Sequence, residues 1–279
     1  MNIAITGASG LIGTRLTETL LQAGHSVRPL PRSPQPSDLL GADAIVHLAG
    51  ETIAQRWTAE AKHRIYSSRV DGTRALLHSL NLLSPRPQTL VCASAIGIYG
   101  SRGDEMLTEL SPSASDFLAD VVVDWEATAR EAEPLGIRVV NPRFGVVLGN
   151  GGALAKMLPP FRLGLGGPLG SGKQWMSWIH IDDAAALIRF AIEDGQIRGP
   201  LNATAPNPVT NAQFTRELAR VLHRPAIFPV PGFALRLMFG EMAGTILASQ
   251  RVIPFGAQSA GFVFQYPEIG PALANLLAK

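Results

Sequence analysis

The sequence is short of the residues that staple or anchor a chain. It has a single cysteine, Cys92, which excludes intrachain disulfides and cysteine-rich zinc sites. Charged residues make up 16%, against about 25% in an average soluble protein. So thin a charge leaves room for a self-associating face, and a homodimer is one expectation. Lys plus Arg number 24 and Asp plus Glu 22, a net charge of +2. That balance is too small to argue for a nucleic-acid or membrane partner. The longest charge-free stretch, Gly199 to Thr215, holds Pro200, Pro206 and Pro208, which is wrong for a membrane span of about 20 apolar residues. No basic-then-apolar leader precedes the first apolar run, so a cytoplasmic protein is expected. No His, Asp or Glu set has metal-ligand spacing, and no metal is expected. No Gly-x-Ser-x-Gly elbow occurs either.

What is present is an apolar chain of 279 residues, 46% hydrophobic, enough for one large domain with a smaller partner. Asn2-Ile-Ala-Ile-Thr6, Asp43 to Ala49, Thr89 to Ala95 and Ile137 to Asn141 read as strands buried on both faces. Val27 to Leu30 is a weaker strand, and Pro29 puts it at an edge. Helices are expected over Leu11 to Ala23, Arg69 to Leu83 and Phe117 to Glu133, the last with Asp116 as N-cap. The alternation predicts an α/β, Rossmann-type, doubly wound parallel sheet over residues 1–150. Gly149 to Gly172 is glycine-rich and reads as irregular. Trp178 to Ile181 reads as a strand feeding a helix over Asp182 to Glu193, with Asp182 and Asp183 as caps. A segment near 176–205 returns to the Rossmann domain, and 151–175 with 206–279 form a smaller C-terminal α+β substrate lobe.

The first turn carries the chemistry. Gly7-Ala-Ser-Gly10-Leu-Ile-Gly13 lies between a buried strand and an amphipathic helix, where glycines let the backbone approach a pyrophosphate and the helix N-terminus offers free N–H groups. Gly7, Ser9, Gly10, Leu11, Ile12 and Gly13 are therefore cofactor-binding candidates. No Asp or Glu occurs between Glu18 and Asp38, where an NAD site usually offers an acid to the ribose. Arg32 and Ser33 stand there instead, and a guanidinium suits the extra 2′-phosphate of NADP(H). Gly167 to Lys173 has Walker A spacing, but Gln174 replaces the magnesium-binding Ser/Thr and no helix follows, so an ATPase is rejected. Lys173, Gln174 and Trp178 are substrate-side candidates, with an exposed glycine loop that holds no ligand as the alternative for the first two and packing as the default for the tryptophan.

Gly7-x-x-Gly10-x-x-Gly13, His47-Leu-Ala-Gly50 and Ser94 to Tyr99-Gly100 resemble, in order, the extended short-chain dehydrogenase/reductase superfamily. Phe161 to Gly172, Trp178-Ile-His-Ile-Asp182-Asp183, Arg56-Trp57, Asp124-Trp-Glu126 and Gly199 to Pro208 are similar to its atypical, epimerase-like subfamily, the epimerase family oxidoreductases. The likeness covers essentially the whole chain. It implies an NADP-binding Rossmann core, with Leu48, Ala49 and Gly50 beside the cofactor and Ser94, Pro142 and Phe144 toward the nicotinamide. It places Arg69 where extended members carry a site asparagine, with a salt bridge to Asp71 or another acid as the alternative. Glu51 and Arg143 join the substrate-side candidates. The superfamily's Tyr-x-x-x-Lys pair is missing. The three tyrosines, Tyr66, Tyr99 and Tyr266, are followed four residues on by Val70, Gly103 and Gly270. Counting back from Glu126 puts Leu118 and Val122 near the dyad positions, and neither can move a proton. Ser94 and Tyr99 are the remaining catalytic candidates, with a core hydroxyl as the alternative for the first and a structural residue of the Tyr-Gly turn for the second. Two functions stay open: an NADP(H)-dependent, epimerase-like oxidoreductase acting on a small carbonyl or sugar-like substrate, or a non-catalytic NADPH-binding sensor.

Overall fold

The computed structural model describes residues 1–278. Its first half runs β1 (Asn2–Thr6), α1 (Leu11–Gln22), β2 (Ser26–Leu30), α2 (Pro36–Leu39), β3 (Ala44–His47), α3 (Ala59–Asn81), β4 (Thr89–Cys92) and β5 (Ser94–Ala95). A 3-10 turn (Ile96–Tyr99) leads to β6 (Met106–Leu107), α4 (Phe117–Arg130), β7 (Arg138–Phe144), β8 (Val146–Leu148) and α5 (Gly152–Arg162). Then come β9 (Trp175–Met176), β10 (Trp178–His180), α6 (Ile181–Glu193), β11 (Gly199–Ala203), β12 (Val209–Thr210) and α7 (Asn211–Leu222). The chain closes with α8 (Gly232–Phe239), α9 (Ala243–Leu247), β13 (Arg251–Val252), α10 (Phe255–Ser259) and α11 (Ile269–Leu277).

The main sheet has the order β11-β7-β4-β3-β1-β2, parallel throughout, with β5 extending the pairing along β7. Its central strands β1, β3 and β4 carry buried apolar runs because helices cover both faces. Alternate residues serve the two faces: Ile3, Ile5, Val46 and Val91 pack with Leu16 and Leu20 of α1 and Leu187 and Ile188 of α6. Ala4, Ile45 and Leu90 pack on the other side with Val70, Leu76 and Leu80 of α3 and Trp125 of α4. β2 is the edge strand, as Pro29 requires. Only α2 separates β2 from β3, and the chain crosses from one side of β1 to the other at that point. Such a reversal opens a crevice at the carboxyl ends of β1 and β3, where ligands bind in sheets of this kind.

β11 returns to the main sheet beside β7, with Gly199 opposite Val140 and Ala203 opposite Phe144. The second core lies in the C-terminal lobe. There Leu154, Leu158 and Phe161 of α5 meet Phe214 and Leu218 of α7 and Ile269 and Leu273 of α11.

Several sequence expectations change. Gly152–Arg162 is helical although the surrounding stretch reads as irregular; Leu154, Leu158 and Phe161 supply the buried stripe, and Pro159 and Pro160 fall in its last turns. Helix α3 begins at Ala59, ten residues before the expected start, because Thr58 caps it by accepting from the Ala61 N–H at 3.2 Å. The expected strand Thr89 to Ala95 breaks at Ala93 into β4 and β5. Asp116 caps α4 as expected, accepting from Leu118 and Ala119. Asp182 and Asp183 do not cap α6: His180 Nδ1 accepts from the Asp182 N–H at 3.1 Å. Asp182 instead takes Arg15 Nε at 2.6 Å, and Asp183 accepts from the backbone N–H groups of Gln265 and Tyr266 at 2.8 and 2.9 Å, pinning the C-terminal segment.

Candidate functional site

The turn after β1 is shaped by what cannot fit there. Gly7 has φ +72°, and a Cβ on it would lie 2.9 Å from the Ala49 nitrogen. A Cβ on Gly13 would lie 2.2 Å from the Gly7 carbonyl oxygen, so α1 can start this close to the sheet only with glycine at that position. Gly10 precedes α1 in extended conformation with no side-chain cap, and the first turn carries no acidic residue. The opening N–H groups of α1, at Leu11, Ile12 and Gly13, are thus available to an anion. Ser9 and Gly10 are exposed beside them, and Leu11 and Ile12 are half-buried. Residues and geometry both fit a dinucleotide pyrophosphate.

Arg32 and Ser33 stand exposed after β2. The Arg32 guanidinium is 3.6 Å from Glu51 Oε2, with the arginine side chain 66% exposed. A pair that long and that wet is weak. The acid that the sequence lacks near β2 therefore arrives from the loop after β3, a long-range placement no local pattern reveals. Leu48, Ala49 and Gly50 follow β3 at the crevice, and Arg69 braces them from α3. Its NH1 donates to the Glu51 carbonyl at 3.0 Å, and a Cβ on Gly50 would lie 3.4 Å from its Cζ. Burial pushes the Arg69 guanidinium down to about 10, with the Glu51 charge opposing. Asp71 pairs with Arg74 instead, so the alternative of an Arg69–Asp71 bridge does not hold. His47, ending β3, meets Thr6 Oγ1 through Nδ1 at 2.7 Å while its buried Nε2 has no partner. Burial pushes its pKa down to about 4.

At the next strand ends, Ser94 lies opposite Arg143 in the pairing of β5 with β7. The Ser94 hydroxyl donates to Glu126 Oε1 at 2.5 Å. Arg143 grips the same carboxylate through Nε at 2.7 Å and NH2 at 2.8 Å. Its NH1 donates to the Tyr99 hydroxyl at 2.8 Å, and that hydroxyl donates to Asn202 Oδ1 at 2.7 Å. Burial lowers the Arg143 pKa, but the hydrogen bonds and charge of Glu126 outweigh it and the net shift is upward. Burial raises the Tyr99 pKa against the pull of Arg143.

This network and the burial of neighbouring side chains correct several expectations. Tyr99 has no exposed surface and both its hydrogen-bonding directions are used, so it holds Arg143 and does not face the crevice. The Arg143 guanidinium is spent on Glu126 and Tyr99, which makes it an internal partner and not a substrate contact; Ser94 beside it is also buried, at 3% exposure. Trp178, fully buried, belongs to the core of the C-terminal lobe. Gln174 is also mostly buried; its Nε2 donates to the Leu169 carbonyl at 2.9 Å and closes the glycine-rich loop. Lys173 alone of that loop's candidates stands exposed. Pro142 is buried in β7 and Phe144 is half-buried beside it. Sequence reasoning missed Glu126 as a site residue. Its signal is a carboxylate within the buried helical stripe Val122, Trp125 and Ala129, a position that demands a cation. Leu118 packs at the dyad position, 3.6 Å from where a Cβ on Gly97 would be. Among the described residues, no cluster of three His, Cys, Asp or Glu side chains could hold a metal ion.

A family model described as the NAD dependent epimerase/dehydratase family matches residues 3–203. The chain belongs to this family. A second model, a domain of unknown function designated DUF1731, matches residues 230–276 in the lobe. The epimerase family protein YfhF of Bacillus subtilis is 41% identical over 298 residues, covering 100% of this chain and 98% of the relative. Epimerase family protein SDR39U1 of Mus musculus is 37% identical over 294 residues, covering 100% of both. A crystal structure of human SDR39U1 (isoform 2) with NADPH superposes with a TM-score of 0.92 at 36% identity, covering 99% of each chain. UDP-glucuronic acid 4-epimerase from Bacillus cereus shares the fold, with a TM-score of 0.79 at 15% identity over 99% of this chain and 98% of the epimerase.

Two outcomes follow from the buried groups. Glu126→Ala strands the Arg143 guanidinium without its counter-charge and lowers stability by about 3–5 kcal/mol in urea unfolding, whereas Glu126→Ala with Arg143→Met recovers most of that loss. His47 has a folded pKa of about 4 against an ordinary 6.5. Its neutral form is the stable one, so its contribution is intact above pH 6.5 and falls away as the pH drops toward 4. Unfolding midpoints over that window decline more steeply for the wild type than for His47→Asn, by about 1.4 kcal/mol per pH unit at the steepest.

Proposed function

We propose that the chain is an NADP(H)-dependent oxidoreductase of the epimerase family, acting on a small carbonyl or sugar-like substrate. The observation that carries the reading is the glycine-walled, uncapped start of α1 beside an exposed Arg32. The NADPH in the crystal structure of human SDR39U1 supports it. Leu11, Ile12 and Gly13 bind the pyrophosphate through main-chain N–H groups, Gly7 and Gly10 form the tight turn that lets it approach, the Gly10 N–H closing on the Gly7 carbonyl at 3.0 Å, and Arg32 with Ser33 takes the 2′-phosphate. Leu48, Ala49 and Gly50 lie along the cofactor, held in place by Arg69.

When bound, the nicotinamide supplies or accepts the hydride. Proton handling falls to Ser94 and Glu126, since Leu118 and Val122 replace the usual pair. The Ser94 hydroxyl takes the proton of a substrate hydroxyl as its own proton moves to Glu126 Oε1, 2.5 Å away. Arg143 holds the Glu126 carboxylate in place beside Ser94 through two hydrogen bonds. The reverse passage protonates a carbonyl oxygen during reduction. The same absence of a tyrosine–lysine pair favours the second reading, a cofactor-binding sensor without turnover.

Arg32→Asp weakens NADPH by about 10- to 100-fold in fluorescence titration and leaves NADH within a few-fold. Equal losses for both nucleotides contradict the 2′-phosphate role. Ser94→Ala leaves NADPH binding unchanged and lowers NADPH oxidation by about 100-fold across a panel of aldehydes, ketones and sugar nucleotides. A wild type inert toward the whole panel while binding NADPH favours the sensor.

A further inference from the structure

The net charge of +2 averages two unlike parts. Residues 151–175 and 206–240 carry seven Lys or Arg and one acidic residue, Glu217. Arg220 holds that acid, donating to its Oε2 from Nε at 3.0 Å and from NH2 at 2.8 Å. Helix α7 buries Phe214 and Leu218 in the lobe and turns Arg216 and Arg220 outward. With His223 and Arg224 they line a groove of about 730 Å³ whose other wall includes Pro168 and Pro225. His223, at φ +52°, is the one non-glycine residue with a left-handed backbone among the described residues.

Beside this basic rim is an exposed apolar ridge. The segment 225–230 runs along the glycine-rich loop, with the Phe228 N–H on the Gly166 carbonyl at 3.1 Å and the Val230 N–H on the Pro168 carbonyl at 2.9 Å. That pairing sets Leu163, Leu165, Ile227 and Phe228 on one edge of the lobe, at 74, 57, 72 and 51% exposure. Side chains so exposed protrude. A folded partner would need a socket for each, whereas the head-group layer of a bilayer accepts protruding apolar groups without matching shape.

We propose that this edge of the C-terminal lobe is a peripheral docking surface for an anionic lipid bilayer. Arg216 and Arg224 hold lipid phosphates, Arg220 being paired with Glu217, and Leu163, Leu165, Ile227 and Phe228 enter the head-group layer. Among the described residues no helix is long and apolar enough to cross a membrane, so the contact is adsorption to one leaflet. The expectation of no membrane partner rests on net charge, which averages this lobe with an acidic remainder. The proposal stands independently of the substrate, because none of these residues belongs to the cofactor cradle.

The test is co-sedimentation of the full chain with vesicles of phosphatidylcholine alone or with about 30% phosphatidylglycerol, at about 0.05 and 0.5 M salt. The anionic vesicles bind at least about 10-fold more protein, and high salt reverses most of it. Ile227→Ser with Phe228→Ser, and separately Arg216→Glu with Arg224→Glu, each lower binding by about 10-fold while NADPH titration is unchanged. If the serine variant does not fold, the charge reversals at two exposed arginines carry the test. No binding to anionic vesicles at low salt, or binding that both variants retain, overturns the proposal. So does a concentration-dependent dimer that the same substitutions abolish, because it gives the edge to a second copy.

Discussion

One steric constraint underlies the site: α1 must begin almost in contact with the ends of β1 and β3. The Gly13 Cβ position lies 2.2 Å from the Gly7 carbonyl, and the Gly7 Cβ position lies 2.9 Å from the Ala49 nitrogen. Backbone, not a flexible side chain, fills both spaces, so no larger residue is accommodated without moving the strand ends. The approach brings Leu16 and Leu20 onto Ile3 and Ile5 and seats α1 against α6. It also aims the unpaired N–H groups of α1 into the crevice created where the order of the strands reverses between β1 and β3. The packing of α1 and the availability of its first N–H groups thus share one cause.

The chemistry at the neighbouring strand ends is organised by a different interaction. Arg143 and Glu126 form a bidentate ion pair at 6 and 7% exposure. Removing two charges from water is expensive, and the pair is viable because Ser94 and Tyr99 satisfy further directions on each partner. Its consequence is positional. β5, β7 and α4 are locked around one carboxylate, and Ser94 is held in the orientation that couples it to Glu126. The same helix that carries Leu118 and Val122 thus presents a buried carboxylate one turn further on.

What was legible in the sequence was local. The buried strand before Gly7, the amphipathic run after it, the edge proline Pro29 and the Asp116 cap each depend on neighbours a few residues away, and each is where the pattern put it. The missing Tyr-x-x-x-Lys pair was equally plain. Helix α5 was obscured because flanking glycines and the Pro159–Pro160 pair mask the stripe Leu154, Leu158, Phe161. The first turns of α3 were obscured because only Ala61 and Ile65 face inward among polar residues. Packing is the default reading for Trp178 and a structural turn is one reading of Tyr99, but the partners that bury them are not legible from neighbouring residues. Tyr99 is fixed by Asn202 and Arg143, far along the chain, and Trp178 by a lobe assembled from α5, α7 and α11. Glu51 reached Arg32 by the same kind of distant closure.

The central claim is that this βαβ unit is a cradle for a phosphorylated pyridine nucleotide. Isothermal titration of NADPH into the purified, folded chain tests it most directly. The account predicts one site per chain with micromolar affinity, corresponding to about −8 kcal/mol. The absence of any heat of binding at millimolar NADPH would contradict it.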